Sequence, residues 1–209
     1  MRAVRVIAWA LVVVVAVGLV AIRFFSDAPQ PGGVTTDGGD DISVANGPGG
    51  PFELTAHTGE RMRDVDFRGR YMLIFFGYSL CPDICPIEME KITATLNLLE
   101  EEGLDTTPVQ PLFITLDPAR DTPEMLADFV GQYHPRLIGL TGSEADVDAV
   151  VKAYRVYREV VEDPSYDGYL INHLWVDFLM GPDGSFERVF TSKDTPASMA
   201  DVLRPLLAS

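Results

Sequence analysis

Hydrophobic and polar positions fall into three regimes along the chain. Residues 6–22 (VIAWALVVVVAVGLVAI) form an apolar run of 17 without a break. As a helix this run spans about 26 Å, close to the hydrocarbon thickness of a bilayer. It predicts a single transmembrane helix, with residues 1–25 as a membrane anchor. A core helix would not be hydrophobic on every face. Residues 26–51 are rich in Gly, Pro and Asp and nearly free of large apolar side chains. That composition predicts a flexible linker. From Phe52 the pattern becomes globular, and residues 52–209 are expected to fold as one domain.

Within that domain the periods alternate. Residues 52–54 suggest a short strand before a turn at His57-Thr58-Gly59. Residues 71–76 (YMLIFF) are continuously apolar, as in a strand buried on both faces. A loop with both cysteines follows, and Pro86 is suited to open a helix. Met89, Ile92, Leu96 and Leu99 then recur at helical spacing up to a stop near Gly103. Residues 109–115 read as a second core strand. Residues 122–133 read as an amphipathic helix with Pro123 and Glu124 in its first turn. Residues 136–141 read as a third strand. Ser143 caps a helix reaching Tyr154, with Asp146 in a capping box. Residues 159–168 are polar and predict a loop. Residues 174–180 and 186–190 flank Gly181-Pro182-Asp183-Gly184, a hairpin signal. A helix over 196–207 closes the chain. The order β-α-β-α-β-α-β-β-α predicts an α/β sandwich with a small mixed sheet, compatible with a thioredoxin-like fold.

Charge orients this picture. The chain carries 16 basic and 31 acidic side chains, a net −15, and residues 26–209 alone carry −18. This acidity argues against binding nucleic acid. Arg2 and Arg5 precede the apolar run and Arg23 alone follows it. The positive-inside rule keeps the N-terminus in the cytoplasm and exports the acidic remainder. A cleaved signal is the competing reading, but its apolar core is usually shorter, and a cut after Ala28 would leave Pro29 at the new terminus.

The chemistry concentrates at the only two cysteines. Cys81 and Cys85 lie in Gly77-Tyr78-Ser79-Leu80-Cys81-Pro82-Asp83-Ile84-Cys85-Pro86, after a buried strand and at a helix start. Residues i and i+4 of a helix lie roughly 6 Å apart. They can form a disulfide or share one metal ion. A helix N-terminus also favours thiolate. A purely structural bridge closes too small a loop to stabilise much, and the flanking prolines and Asp83 suggest an exposed loop rather than inert buried thiols. A redox or metal role is therefore favoured.

His57, in a turn, and His134, before Pro135, read as polar surface residues. His173 stands after the long loop and before an apolar strand that should neighbour the strand leading to the cysteines. On spacing alone, metal ligation and a solvated loop histidine remain open for it. Two thiolates and one imidazole suit Cu(I), Cu(II) or Zn(II). A structural zinc site would want a fourth protein ligand, so the set favours a copper carrier. In the segment from Phe113 to Pro123, Asp117-Pro118 turns the chain, Asp121 or Thr122 caps the next helix, and Arg120 supplies an ion pair. Shaping of the cysteine loop is a secondary role there.

Phe75-Phe76-Gly77-Tyr78 with Cys81-Pro82-Asp83-Ile84-Cys85-Pro86, then Thr115-Leu116-Asp117-Pro118 with Arg120-Asp121-Thr122-Pro123, then His173 and Gly181-Pro182-Asp183-Gly184, resemble the SCO/SenC family over about residues 50–208. The resemblance implies a thioredoxin-like fold and copper binding by Cys81, Cys85 and His173. It implies that Cys81 and Cys85 also form a redox disulfide. It further implies copper delivery to the binuclear centre of cytochrome c oxidase subunit II, or reduction of that subunit's cysteines, with other copper chaperones as partners. The location it implies is a bacterial inner membrane with the domain in the periplasm, or a mitochondrial inner membrane facing the intermembrane space. Such families usually have Asp before the histidine and Ser or Thr after it, where this chain has Asn172 and Leu174, then Trp175. These neighbours can alter the orientation or basicity of His173, or the partner surface.

Two other classes are weaker fits. A thiol–disulfide oxidoreductase, the runner-up, normally carries Cys-x-x-Cys, one residue shorter than here. A peroxiredoxin-like peroxidase would need Thr or Ser three residues before its cysteine, where Tyr78 and Pro82 stand.

Overall fold

The structure, a computed structural model, describes residues 47–163 and 168–208. The expected anchor over residues 1–25 lies outside them, as does most of the expected linker. Among the described residues no helix is long and apolar enough to cross a membrane.

The centre of the domain is a pair of parallel strands, β3 (Tyr71–Gly77) and β4 (Val109–Thr115). Every residue of β4 is buried, as is every residue of β3 after Tyr71. A parallel pair covered on both faces demands a nearly continuous apolar run, which β4 interrupts only at Gln110 and Thr115. Parallel β5 (Ile138–Thr141) follows β4 on one side, and antiparallel β8 (Asp177–Met180) flanks β3 on the other. With β1 (Glu53–Ala56), β2 (Arg61–Arg63) and β9 (Phe186–Phe190), the sheet runs β2-β1-β5-β4-β3-β8-β9.

Four helices connect and close it: α1 (Ile84–Glu101), α2 (Pro123–Val130), α3 (Glu144–Ala153) and α4 (Pro196–Leu207). Met89, Ile92, Leu96 and Leu99 form the buried stripe of α1, as their spacing requires. That helix stops where expected. Gly103 takes φ +82°, the Gly103 N–H donates to the Glu100 carbonyl at 2.9 Å, and the Leu104 N–H donates to the Leu99 carbonyl at 3.1 Å. This is the paired closure for which glycine is favoured. The Ser143–Asp146 capping box forms at α3 as read from the sequence.

Three local expectations are corrected. The polar stretch assigned to a loop contains β6 (Arg158–Glu162), which pairs antiparallel with β7 (Tyr169–His173) in a separate two-stranded sheet. Three of the five residues of β6 are charged and none is buried, because this ribbon stands outside the main core, so the apolar signature of a strand is weak. Residues 174–176 are correspondingly a connection, and the strand after them begins at Asp177. Finally, α1 starts at Ile84, so Cys85 already lies in its first turn and Pro86 sits where a missing N–H costs nothing.

Residues 47–51 rest on the domain: the Gly49 N–H donates to the Ala153 carbonyl at 3.0 Å. The central strands carry the stability of the whole. Leu112→Ala, at a site with no exposed surface, should lower the unfolding free energy by about 2–5 kcal/mol, read as a lower urea midpoint at unchanged slope.

Candidate metal centre

Three elements deliver one side chain each. Cys81 lies in the turn after β3, its N–H donating to the Tyr78 carbonyl at 3.1 Å. Cys85 is in the first turn of α1, and His173 is the last residue of β7. The two sulfurs and one ring nitrogen lie within 4.8 Å of one another. Metal–thiolate and metal–imidazole bonds of about 2.3 and 2.0 Å let two donors on one ion stand at most about 4.6 Å apart. The group is thus within a few tenths of an ångström of sharing an ion, and among the described residues no other such group of three occurs. Cys85 has no exposed surface and His173 only 8%, while Cys81 is partly exposed. The loop is exposed at Leu80, Pro82 and Asp83 and partly at Cys81, as expected, and only Cys85 at its end is buried.

The imidazole is aimed by its neighbours. Its Nδ1 lies 3.0 Å from the Leu174 carbonyl. That oxygen can only accept, so Nδ1 carries the proton and Nε2 presents its lone pair, 3.8 Å from the Cys85 Sγ. The ring packs edge-on against Phe75 and Tyr78, with centroids 5.9 and 6.2 Å away. Because the aiming group is a backbone carbonyl, the side chain at position 174 does not set the orientation. The side chains of Asn172, Leu174 and Trp175 point to solvent, and Leu174 and Trp175 are exposed apolar groups, as are Leu80 and Ile87 on the cysteine side.

A buried network holds the cysteine loop. Asp121 accepts hydrogen bonds from the Ser79 N–H (3.1 Å), the Ser79 hydroxyl (2.5 Å) and the Thr115 hydroxyl (2.6 Å). Burial nevertheless pushes its carboxyl above the ordinary range, against those hydrogen bonds. Thr122 alone caps α2, accepting from the Met125 N–H at 3.3 Å. Asp121, weighed as a cap, thus shapes the cysteine loop instead. The expected Asp117–Arg120 ion pair forms and reaches further. The Tyr169 hydroxyl donates to Asp117 at 2.7 Å, Arg120 Nη1 donates to the Tyr169 carbonyl at 2.9 Å, and the guanidinium stands 3.7 Å from the Tyr169 ring centre. The strand bearing His173 is thereby fastened to the loop after β4. The Ile171 N–H donates to the Tyr78 hydroxyl at 3.4 Å, and burial pushes that phenol up to about 12.

Gly77 is a functional position hidden inside the motif. A Cβ there would lie 2.7 Å from the Cys85 Sγ and 2.8 Å from the Phe75 ring. The sequence signal was a glycine ending an otherwise large, apolar strand. The other histidines stand apart from this group. His57 Nδ1 accepts from the Gly139 N–H at 3.1 Å. His134, expected on the surface, is buried, accepts from the Arg136 N–H on Nδ1 at 3.2 Å and faces Glu100 with Nε2 at 3.3 Å.

The two sulfurs differ electrostatically. A hydrogen bond from the Cys85 thiol holds Cys81 far below the ordinary thiol range, against the effect of burial and with further help from the N–H groups of Asp83 and Cys85. The same hydrogen bond, burial and the Cys81 charge push Cys85 up. One thiolate and one thiol share a proton, which a bound cation would displace. A lowered pKa means the proton leaves at lower pH. Iodoacetamide at pH 6 should therefore modify Cys81 and spare Cys85, and Cys85→Ala should shift Cys81 reactivity toward alkaline pH, both read by mass spectrometry across a pH series.

A profile of the SCO1/SenC family matches residues 41–208. The mitochondrial SCO1 homolog of Homo sapiens is 43% identical over 162 residues, 75% of this chain and 53% of that protein. The SenC protein of Rhodobacter capsulatus is 42% identical over 153 residues, 73% of this chain and 67% of its own. The chain spans about half the length of several curated relatives it matches. Among solved structures, Arabidopsis thaliana ScoI with copper bound superposes with a TM-score of 0.70 at 36% identity, covering 77% of this chain and 99% of that one. Yeast Sco1 with copper bound gives 0.69 at 36% identity, covering 78% and 90%. The thioredoxin-like α/β arrangement expected from the sequence is thus the observed one, and the chain belongs to the SCO1/SenC family.

Proposed function

We propose that the protein is a membrane-anchored metallochaperone that carries copper to the binuclear centre of cytochrome c oxidase subunit II during assembly. The observation that carries this reading is the convergence of Cys81, Cys85 and His173 from three separate elements onto one point. Two sulfurs and one imidazole match soft Cu(I) and also accommodate Cu(II). The copper-bound relatives of similar fold support the choice of metal. Three ligands with one exposed at the rim suit an ion held in transit, because an incoming donor can exchange with Cys81 while Cys85 and His173 keep their grip. Subunit II and other copper chaperones are the partners this reading takes from the family.

The domain plan belongs to the same proposal: anchor over residues 1–25, linker over 26–51 and copper-binding domain over 52–209. The relatives include mitochondrial proteins and a bacterial SenC. The reading places the domain in the periplasm of a bacterial inner membrane, or on the intermembrane-space side of a mitochondrial one. A second reading, thiol–disulfide exchange, is favoured by the accessible Cys81 thiolate with the Cys85 thiol behind it. Attack by Cys81 on a partner disulfide and resolution by Cys85 would leave a Cys81–Cys85 disulfide and a reduced partner.

The reduced full chain should bind one copper ion, and the oxidised chain none. Cys81→Ser or Cys85→Ser should lower affinity by more than about 100-fold, beyond the effect of losing an outer hydrogen-bond partner of a ligand. His173→Ala should weaken Cu(II) more than Cu(I), which tolerates two thiolates alone. Undiminished binding by Cys81→Ser, in competition against a copper chelator, would overturn the ligand set.

In cells, oxidase activity at limiting copper separates the two functions. A carrier needs all three groups, so His173→Ala should fail as completely as Cys81→Ser. Parent-like activity of His173→Ala beside failure of both cysteine variants would give the function to thiol exchange.

The anchor is tested by fractionation. Residues 52–209 should stay with membranes and be cleaved by protease only from the exported side. Recovery of the domain in the soluble exported fraction would show a cleaved signal instead.

A further inference from the structure

Behind the Cys–Cys–His group lies a charged cluster that the proposed chemistry leaves unused. Asp177 opens β8 with no exposed surface. The ladder sets it opposite Phe75 of β3, and directly opposed residues share a face. The carboxylate is thus on the same side of the sheet as the Phe75 ring, against which His173 packs. On that side Lys91 of α1 brings its Nζ to 3.0 Å from Asp177 Oδ2, pairs also with Glu88, and donates to the Thr191 carbonyl at 3.3 Å. Glu88 stands one turn beyond Cys85 on the same helix. The cluster therefore joins the helix that begins at the cysteines to the strand that begins after the histidine.

Two carboxylates facing one ammonium leave a buried negative charge in excess unless a proton is retained. Burial accordingly holds Asp177 well above the ordinary carboxylate range, against the pull of Lys91. Burial also opposes the Lys91 charge, and its two carboxylate partners outweigh that effect. Buried ion pairs of this kind add little net stability over apolar replacements, and their best-attested use is to specify one geometry. Here the geometry at stake is the connection through residues 174–176. At its start the Leu174 N–H donates to the Tyr157 carbonyl at 3.3 Å, and at its other end residues 175 and 176 lead straight into Asp177. Its carbonyl at Leu174 is the group that aims the imidazole.

We infer that the Lys91–Asp177 pair is a positioning device for His173, fixing the start of β8 to α1 so that Nε2 stays directed at Cys85. The inference rests on the reading of His173 as a copper ligand. Asp177 and Lys91 touch no copper themselves. Their effect passes through the main chain of residues 174–176 and through the Phe75 ring.

The test uses the purified full chain, Cu(II) and Cu(I) ions as probes, and two replacements. Asp177→Asn keeps the shape and removes the charge. The triple variant Glu88→Met, Lys91→Met and Asp177→Leu replaces the whole cluster by apolar groups of similar size, leaves no buried charge unpaired, and guards against a single variant that unfolds. Asp177→Asn should lower Cu(II) affinity roughly tenfold, the effect of losing an outer partner that orients a ligand. Its Cu(II) electron paramagnetic resonance spectrum should move toward that of His173→Ala, while Cu(I) affinity stays unchanged. The triple variant should show the same copper defect at a melting temperature equal to or above the parent's. Parent-like spectra and Cu(II) affinity in the folded variants would overturn the inference and leave the copper reading standing, whatever the melting temperatures. A parent chain that binds no copper would overturn both.

Discussion

The close approach of the first turn of α1 to the end of β3 governs the rest of the site. The Cys85 sulfur occupies the space that a side chain at position 77 would fill. Only glycine leaves that space empty, and only a strand buried on both faces brings the helix start down so far. From this contact follow the complete burial of Cys85 and the outward position of Cys81 in the preceding turn. Parallel pairing extends the constraint, since Gly77 stands opposite Thr115, whose hydroxyl donates to the same Asp121 that ties Ser79. The cysteine loop is thus fastened at its base by the strand register and at its flank by one carboxylate.

Unequal burial turns two chemically identical residues into different groups. The buried thiol keeps its proton and lends it to the exposed sulfur, so the pair carries about one negative charge rather than two. Removing the second proton places a second charge in a poorly hydrated site, which becomes favourable when a cation arrives. A soft cation also gains from the imidazole lone pair already turned inward. Loading and proton release are then one event. The exposed sulfur is also the one an incoming donor meets first.

Much of this was legible in the residues. The strands over β3 and β4, the stripe of α1, its glycine stop and the Ser143 capping box are all local patterns, and local patterns survive folding. The two cysteines announced themselves by position between a buried strand and a helix. What escaped the sequence was whatever depended on partners distant in the chain. Arg158–Glu162 escaped for a nearer reason: three of its five residues are charged, and the segment before its ladder partner is equally polar. His134 reads as surface because nothing near it in sequence reveals Glu100 and the Thr93 hydroxyl as its partners. Asp121 reads as a helix cap, since the chain has Thr122 beside it and the loop it holds lies 42 positions earlier. Asp177 sits in an otherwise apolar strand, and its partner Lys91 appears in the sequence as one more solvated lysine.

The placement of His173 on a ribbon outside the main sheet explains why so many polar contacts converge there. A residue in a seven-stranded sheet is located by its ladder on both sides. The β6–β7 ribbon has no such ladder to the core, so its position must be set by side chains. Arg120, Asp117 and Tyr169 fasten its start, Tyr78 meets its middle at Ile171, and the Leu174 carbonyl orients the imidazole at its end. The arrangement puts one ligand on the ribbon, one in the turn after β3 and one in the first turn of α1, so each is held by a different element. The fastened ribbon keeps the imidazole in place beside buried Cys85, so among the three donors only Cys81 faces the rim, and exchange of a bound ion would begin there.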